Sequence, residues 1–593
     1  MALPGLSFEV VRTPEPRVGL RSDRTALLAL TERGPEEAPT EVHSYDHFVR
    51  VFGCRMLGAL GPLAAKGYYD NGGQLLTVTR FVPAEAKAAA GTLPVVHAST
   101  PNSYVIAVSA RHRGAFGDRL RVRAECHLRR RARGSVTGPL EVTLVVPHFD
   151  SADLKLPVRV LGSTGDAWTR LDSIAPAGSG QKLTLSSASG LSGDVIVELY
   201  QPHFSLHILE AGRAEGVVRG IDLRDLPDAE ERLAGSGIQI SSTVATTDAE
   251  LPVHGAVVQL SGGDDGLDPS GSIQGLRESF ERCIAALERS DTADVVVAPD
   301  LWSKIFETKR VRRLAFDPAT SGALADALVR SAARTRDRVV VLDPPLTDDA
   351  RPLSGSELEA WRAEREAELS DARDFAAVFS PWLRIVAGPV VRGDDTLLIP
   401  PSAHVAGRMA KTARERGAWI ATGNVSVEQA VGLERAPHLD EEEALYDLGI
   451  NPLRMSLPRG ATVYGVRSLS WPDRKAWRFL STRRLFNFLH RALTPLGQSY
   501  AFEPNSPSTW IKLRRDIDAL LRALFDRGAF TGSRPEEAYF VRVDEGLNPE
   551  ELRDQGVLTA QIGVAPAVPL EFLLVRLHVQ NGVARVSEEP LSS

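Results

Sequence analysis

Cysteine is scarce in this chain: Cys54, Cys126 and Cys283 are its three among 593 residues. Isolated and odd in number, they argue against a disulfide framework and suit folding in a reducing cytoplasm. No uninterrupted apolar run approaches the ~18–20 residues that cross a bilayer, so direct membrane insertion is not expected. The opening MALPGLSFEVVRTPEPR has no apolar h-region, so no secretory signal is read there. Positive charge is not in excess. Lys and Arg number 69 against 76 Asp and Glu, a net charge of −7, which argues against nucleic acid as a partner. With 43% hydrophobic and 24% charged residues the composition is that of a soluble globular protein. The length suits roughly three to five domains.

Catalytic signatures are missing too. There is no G-x-S-x-G elbow, H-E-x-x-H, C-x-x-C or G-x-x-x-x-G-K-[ST]. No cofactor is therefore expected. His43/His47 and His203/His207 are spaced by four, but the second pair lies in a β-like run where that spacing means only a shared face. Gly262-Gly263-Asp264-Asp265-Gly266 follows a strand and reads as a tight turn feeding a helix rather than a phosphate loop.

What is present is ordered in blocks. Leu6, Phe8 and Val10 alternate along an extended strand with no local hairpin partner, followed by a Pro-punctuated stretch. Residues 24–33 read as a buried strand, 44–52 as a helix capped by Ser44, 55–70 as a helix ending at Asn71-Gly72-Gly73, and 75–79 as a strand. From about 95 to 255 short β-rich runs alternate with turns, predicting a sandwich or barrel. Arg129-Arg130-Arg131 with Arg133 falls between two such runs and reads as a solvated hairpin loop. From 256, strands such as DVVVAPD and VVVLDPP alternate with helices such as 273–289, predicting a mostly parallel α/β sheet. Two amphipathic helices follow, 481–493 and 508–527. Phe572, Leu573, Val575, Leu577 and Val579 belong to a last strand, 571–580, behind the tether GVAPAVPL. Like the first strand, it is free to reach away from the body.

PPSAHVAG (400–407) resembles the histidine motif of subtilisin-type proteases. In the pattern H-G-T-H-V-A-G the catalytic histidine is the first one, and that position holds Pro401. His404 matches the second, non-catalytic histidine, and no Gly-Thr-Ser-Met-Ala-like turn follows. A Ser–His–Asp mechanism needs a base bonded to its nucleophile and oriented by a carboxylate. A subtilisin-like serine peptidase stays the alternative function, with a nucleotide-binding α/β enzyme behind it. The cluster Arg474, Lys475, Arg478, Arg483, Arg484, Arg491 is opposed only by Asp473. Arg484, Asn487 and Arg491 share a helix face off the apolar stripe, either solvated or docking an acidic partner surface.

Many stretches, in order, resemble the contractile tail sheath proteins of phages and phage-derived injection systems. They include Pro4-Gly5-Leu6, Gly67-Tyr68-Tyr69-Asp70-Asn71-Gly72-Gly73, Ala298-Pro299-Asp300, Pro381-Trp382, PPSAHVAG, Gly449-Ile450-Asn451-Pro452, Arg483 to Phe488, Phe502-Glu503-Pro504-Asn505 and Asn548-Pro549. They spread over about 1–90 and 256–580. Departures are Ser7 for the usual aromatic, Asp264 for serine in the glycine turn, and Val543 for cysteine before Asp544.

The resemblance implies an α/β multidomain, non-enzymatic chain. It consists of an N-terminal arm (1–20), the N-terminal part of the core (21–92), a β-rich, sandwich-like insertion (93–255), a subtilisin-like α/β domain (256–455), an α/β C-terminal domain (456–565) and a C-terminal arm (566–593). It further implies copies of itself as partners, in hexameric rings stacked helically around an inner tube protein. Baseplate and terminal cap proteins, and paralogous sheath subunits, are further implied partners. Assembly is expected in the cytoplasm, within a phage tail-like particle open to release. The arm strands are the expected inter-subunit contacts. Arg483, Arg484, Asn487 and Arg491 are the expected inner-tube contact.

Overall fold

The computed structural model describes residues 20–54, 56–95, 105–187, 189–210, 213–242, 251–267, 274–290, 293–307, 310–386, 396–456, 458–567, 573–580 and 583–590. Leu6, Phe8, Val10 and Phe572 lie outside them. The chain forms two compact units: Met1–Phe81 with Asp268–Ser593, and Val82–Leu267.

The first unit is built on a nine-stranded sheet. Its order is Thr40–Val42, Leu75–Arg80, Arg24–Ala29, Val295–Val297, Val339–Leu342, Ala376–Ser380, Ile450–Ser456, Gly460–Val463, Val425–Ser426. The run from Leu75–Arg80 to Ile450–Ser456 is parallel throughout. Strands such as Val-Val-Val (295–297) are buried at every position, as a sheet covered on both faces requires. Gly460–Val463, assigned by sequence beyond the α/β domain, pairs with Ile450–Ser456 and extends this sheet. The helix expected over 55–70 is shorter, Gly61–Asp70, because Pro62 sets its first turn. It packs against the helix Ser402–Arg416 at two glycines. A Cβ on Gly67 would lie 2.2 Å from His404 Cε1, and one on Gly407 would lie 2.4 Å from the Tyr68 carbonyl oxygen. Phe81, where the chain leaves this unit, packs edge-on against Phe280, with ring centroids 5.1 Å apart, and 6.2 Å from Phe316.

Beyond the sheet, the helices Leu480–Gln498 and Pro507–Asp526 bury Leu485, Leu489, Leu493, Leu513, Ile517 and Leu521 in one core. A four-stranded antiparallel sheet completes this part: Tyr539–Arg542, Val557–Val564, Leu573–Gln580, Val583–Pro590. The last expected strand, bearing Leu573, Val575, Leu577 and Val579, pairs on both edges within the single chain.

In the second unit, six strands close on themselves. Asp194–Glu210, Pro157–Gly162, Gly165–Ala177, Gly180–Leu185, Glu141–Leu144 and Leu120–Gly138 pair in turn, and the last pairs back with the first. The result is a barrel rather than an open sandwich. Val158, Leu171, Leu183 and Val197 lie in its core. A three-stranded sheet (Ile238–Ser242, Val105–Ala110, Ala90–Pro94) and the helix Leu226–Leu233 share a second core with the far halves of the two long strands. The arginine run is not a loop. Arg129 to Arg133 lie inside the 19-residue strand Leu120–Gly138. Arg129 and Arg130 pair with Asp153, Arg130 also with Asp150, and Arg131 with Glu198, so acidic neighbours keep the strand going.

Candidate functional site

In α/β sheets, ligand sites lie outside the carboxyl ends of the parallel strands. Two aspartates stand there. Asp300 follows Val295–Val297, and Asp343 follows Val339–Leu342. Both are buried. Asp300 accepts from the backbone N–H groups of Leu30 (2.8 Å) and Leu60 (2.5 Å) and from the Ser303 hydroxyl. It thereby closes the start of the Gly61–Asp70 helix. Asp343 accepts from Ser402 N (2.9 Å) and Ser402 Oγ (2.7 Å), the first residue of the Ser402–Arg416 helix. Burial pushes the Asp300 carboxyl up to about 6 and the Asp343 carboxyl up to about 7, against the pull of those hydrogen bonds.

PPSAHVAG therefore begins a helix whose serine hydroxyl is tied to a carboxylate. His404 lies one turn in, its ring against Gly67. Its Nδ1 has no hydrogen-bond partner among the described residues. Burial, with Lys66 adding to it, pushes the imidazole down to about 4. A neutral, buried ring packed on a glycine is a spacer between helices. No nucleophile–base hydrogen bond joins Ser402 to His404.

The amino ends of the same strands hold the expected tube-contact residues, and here the sequence reading is corrected. Arg483, Arg484, Asn487 and Arg491 are 2%, 4%, 3% and 8% exposed, so they form no face toward solvent or a partner. Arg483 donates to Asp374 Oδ2 (3.1 Å) and Asn487 Oδ1 (2.9 Å) and stacks on Phe375 and Trp477. Asn487 donates to the Arg338 carbonyl (2.9 Å). Arg491 pairs with Asp294 and donates to the Arg21 carbonyl (3.3 Å). Arg484 donates to the Ser22 carbonyl (3.1 Å). Asp294 Oδ2 in turn accepts from Arg24 N (2.9 Å). Burial raises the Asp294 and Asp374 carboxyls, opposed by Arg491 and Arg483 respectively, and pushes Arg484 down to about 10. The helix polar face is an internal clasp that joins residues 21–24, three sheet strands and the C-terminal domain.

The buried carboxylates at the two ends of the strands are not singled out by the sequence reading. Their signal was there: Asp294 directly precedes Val-Val-Val and Asp343 directly follows Val-Val-Val-Leu. A carboxylate fused to a fully buried strand needs an internal partner. Asparagines of the stretches that resemble sheath proteins act likewise. Asn451 bridges the Val378 and Arg467 carbonyls and Arg467 N; Asn548 joins Thr559; Asn505 joins Val557 and Trp510.

The other candidates separate. His43 and His47 lie side by side, ring centroids 5.8 Å apart, and His207 is bonded to Glu125 rather than to His203. Among the described residues no group of three or more His, Cys, Asp or Glu is placed to hold a metal ion. In the glycine turn, Asp264 accepts from Gly266 N (2.8 Å) and Asp265 from Ala115 N (2.9 Å).

Known proteins give the chain a context. Residues 473–580 match the family model of the phage tail sheath C-terminal domain. A tail sheath protein of Vibrio phage KVP40 is 28% identical over 193 residues, 32% of this chain. That match spans 28% of the relative's own length. A crystal structure of a sheath tail protein from Listeria innocua superimposes with a TM-score of 0.56 at 12% identity, over 98% of this chain and 97% of that one. Its counterpart from Desulfitobacterium hafniense gives 0.53 at 13%, over 97% and 100%. In the sequence of its C-terminal domain and in its fold, the chain resembles the tail sheath proteins.

Proposed function

We propose that this chain is a non-enzymatic structural subunit of a contractile tail sheath, in a phage tail or a phage-derived injection particle. The match of residues 473–580 to the sheath C-terminal domain carries the reading. In it, copies polymerise as sixfold rings stacked helically around an inner tube, between a baseplate and a terminal cap. The first unit is a subtilisin-like body that has become a building block. Leu6, Phe8 and Val10, and Phe572 to Val579, exchange strands with neighbouring copies. The eight-residue antiparallel register of 557–564 with 573–580 supports this, because the same backbone edge accepts an identical strand from another copy. Each exchanged backbone hydrogen bond is worth about 0.5–1.5 kcal/mol. A head-to-tail contact of that kind does not close on itself and builds a helical filament. Contraction is then rigid-body rotation of subunits on their tethers, toward a better-packed array. Since the 483–491 clasp is buried, contact with the tube falls to other residues.

Negative-stain microscopy of the purified chain tests the proposal. Tubes or cogwheel-like stacks are expected. A chain that stays monodisperse under every assembly condition overturns it. Removing 1–20 and 566–593 should leave folded subunits unable to form long tubes, and normal tubes after both deletions refute strand exchange. A fluorophosphonate probe should label nothing; stoichiometric labelling of one serine restores the peptidase.

A further inference from the structure

A small cavity of about 10 Å³ lies in the first unit beside the clasp. Phe379, Met409, Val466 and Leu480 supply apolar wall, and Thr422 and Arg484 also line it. Thr422 and Arg484 are 6% and 4% exposed. Thr422 Oγ1 and Arg484 Nε are buried atoms with no hydrogen-bond partner among the described residues. The two observations are independent. One is an empty space, the other a pair of unmet polar atoms on residues around it.

Leaving both atoms unmet is expensive. A buried unsatisfied donor or acceptor costs about 1–3 kcal/mol, and more on a charged group. Arg484 is not free to turn toward another acceptor. Its far end donates to the Ser22 carbonyl, and its charge is shared with Asp294, which also holds Arg491. A cavity takes a water once it offers roughly 10–15 Å³ and two to four polar partners, whereas a purely apolar cavity of similar make stays dry. This one meets the lower bound on both counts.

We propose that one ordered water molecule occupies this cavity, accepting a hydrogen bond from Arg484 Nε–H and sharing one with Thr422 Oγ1. The water completes the coordination of Arg484. It also extends the clasp by one step. Thr422 lies in the segment that follows the Ser402–Arg416 helix, so a continuous polar path runs from there through the water and Arg484 to Ser22, at the root of the N-terminal segment. The space is sized for a water, and since the neighbouring Arg484 is a cation, a halide is the competing occupant.

The test is an experimental structure of the full chain, free or assembled, at a resolution that shows ordered solvent, with bromide replacing chloride. The expected result is one peak without bromide's anomalous signal, about 2.7–3.2 Å from both atoms. An empty cavity overturns the proposal, and so does an anomalous peak there. Thr422→Ser, which keeps the hydroxyl, should keep the peak. Thr422→Val, which keeps the shape, should lose it, and an unchanged peak in that variant removes Thr422 from the site. Should Thr422→Val fail to fold, the wild-type and Thr422→Ser structures decide alone.

Discussion

At the amino ends of its parallel strands the first unit buries arginines against aspartates, Arg491 on Asp294 and Arg483 on Asp374. At the carboxyl ends it buries Asp300 and Asp343 against backbone N–H groups and serine hydroxyls. Charge at the first end is matched by opposite charge drawn from distant parts of the sequence. Charge at the second end is met by hydrogen-bond donors alone, with no opposite charge beside it among the described residues, and each carboxyl serves one helix start. The first end joins segments; the second fixes helix positions, in the place where an enzyme of this architecture would keep its chemistry.

Breaking the charged end should have the largest effect. Asp294→Ala leaves Arg484 and Arg491 buried without their carboxylate, so stability should fall by about 3–5 kcal/mol, read from denaturant midpoints. A loss under 1 kcal/mol would mean that water already screens this pair.

At the other end, Gly67→Ala forces a methyl into the His404 ring, with an expected cost of about 1–3 kcal/mol. His404→Ala in the same chain should recover much of it, because the three atoms nearest the added methyl all belong to that ring. A double-mutant cycle measures the coupling, and strict additivity would rule out the contact.

Ser402→Ala should cost about 1 kcal/mol by removing one partner of Asp343. Asp343→Asn addresses the proton. Burial raises the folded-state carboxyl to about 7 from the ordinary 3.8. The stability this contributes is present in full below the unfolded value and lost as pH rises through the folded one. Wild type minus Asp343→Asn should therefore fall as pH rises from about 4 to about 8, and urea midpoints across that range check the sign. A flat difference would show Asp343 ionised throughout. Arg277→Ala, which breaks an exposed helix pair with Glu281, sets the floor: a change within about 0.5 kcal/mol.

Periodicity made the single elements readable. IQGLRESFERCIAALER predicts a helix over 273–289, and the helix is Gln274–Glu288. Valine runs predict doubly covered strands, and Val295–Val297 and Val339–Leu342 are buried throughout. The failures share a cause. Arg484, Asn487 and Arg491 sit off the apolar stripe, and periodicity assigns such a face to water. Its true neighbours, Asp294 and the carbonyls of Ser22, Arg21 and Arg338, are far away in sequence, so only the fold could reveal them. Arg129 to Arg131 misled for the same reason, since Asp150, Asp153 and Glu198 complete that strand. Pro401 was informative without the fold, because proline has no base. The burial of His404 was not, because it depends on a glycine of another helix.

The aromatic contact at Phe81 has an engineering consequence. Phe81 and Phe280, on either side of the inserted unit in sequence, pack on each other, so the first unit brings the chain before and after the insertion together by its own contacts. Closing a longer or shorter loop between pinned ends costs little, about 0.6 kcal/mol per doubling of length. The position between Phe81 and the Gln274–Glu288 helix is thus a graft site. A foreign domain whose termini lie close together should fit there without disturbing the nine-stranded sheet, turning the chain into a carrier for displayed cargo.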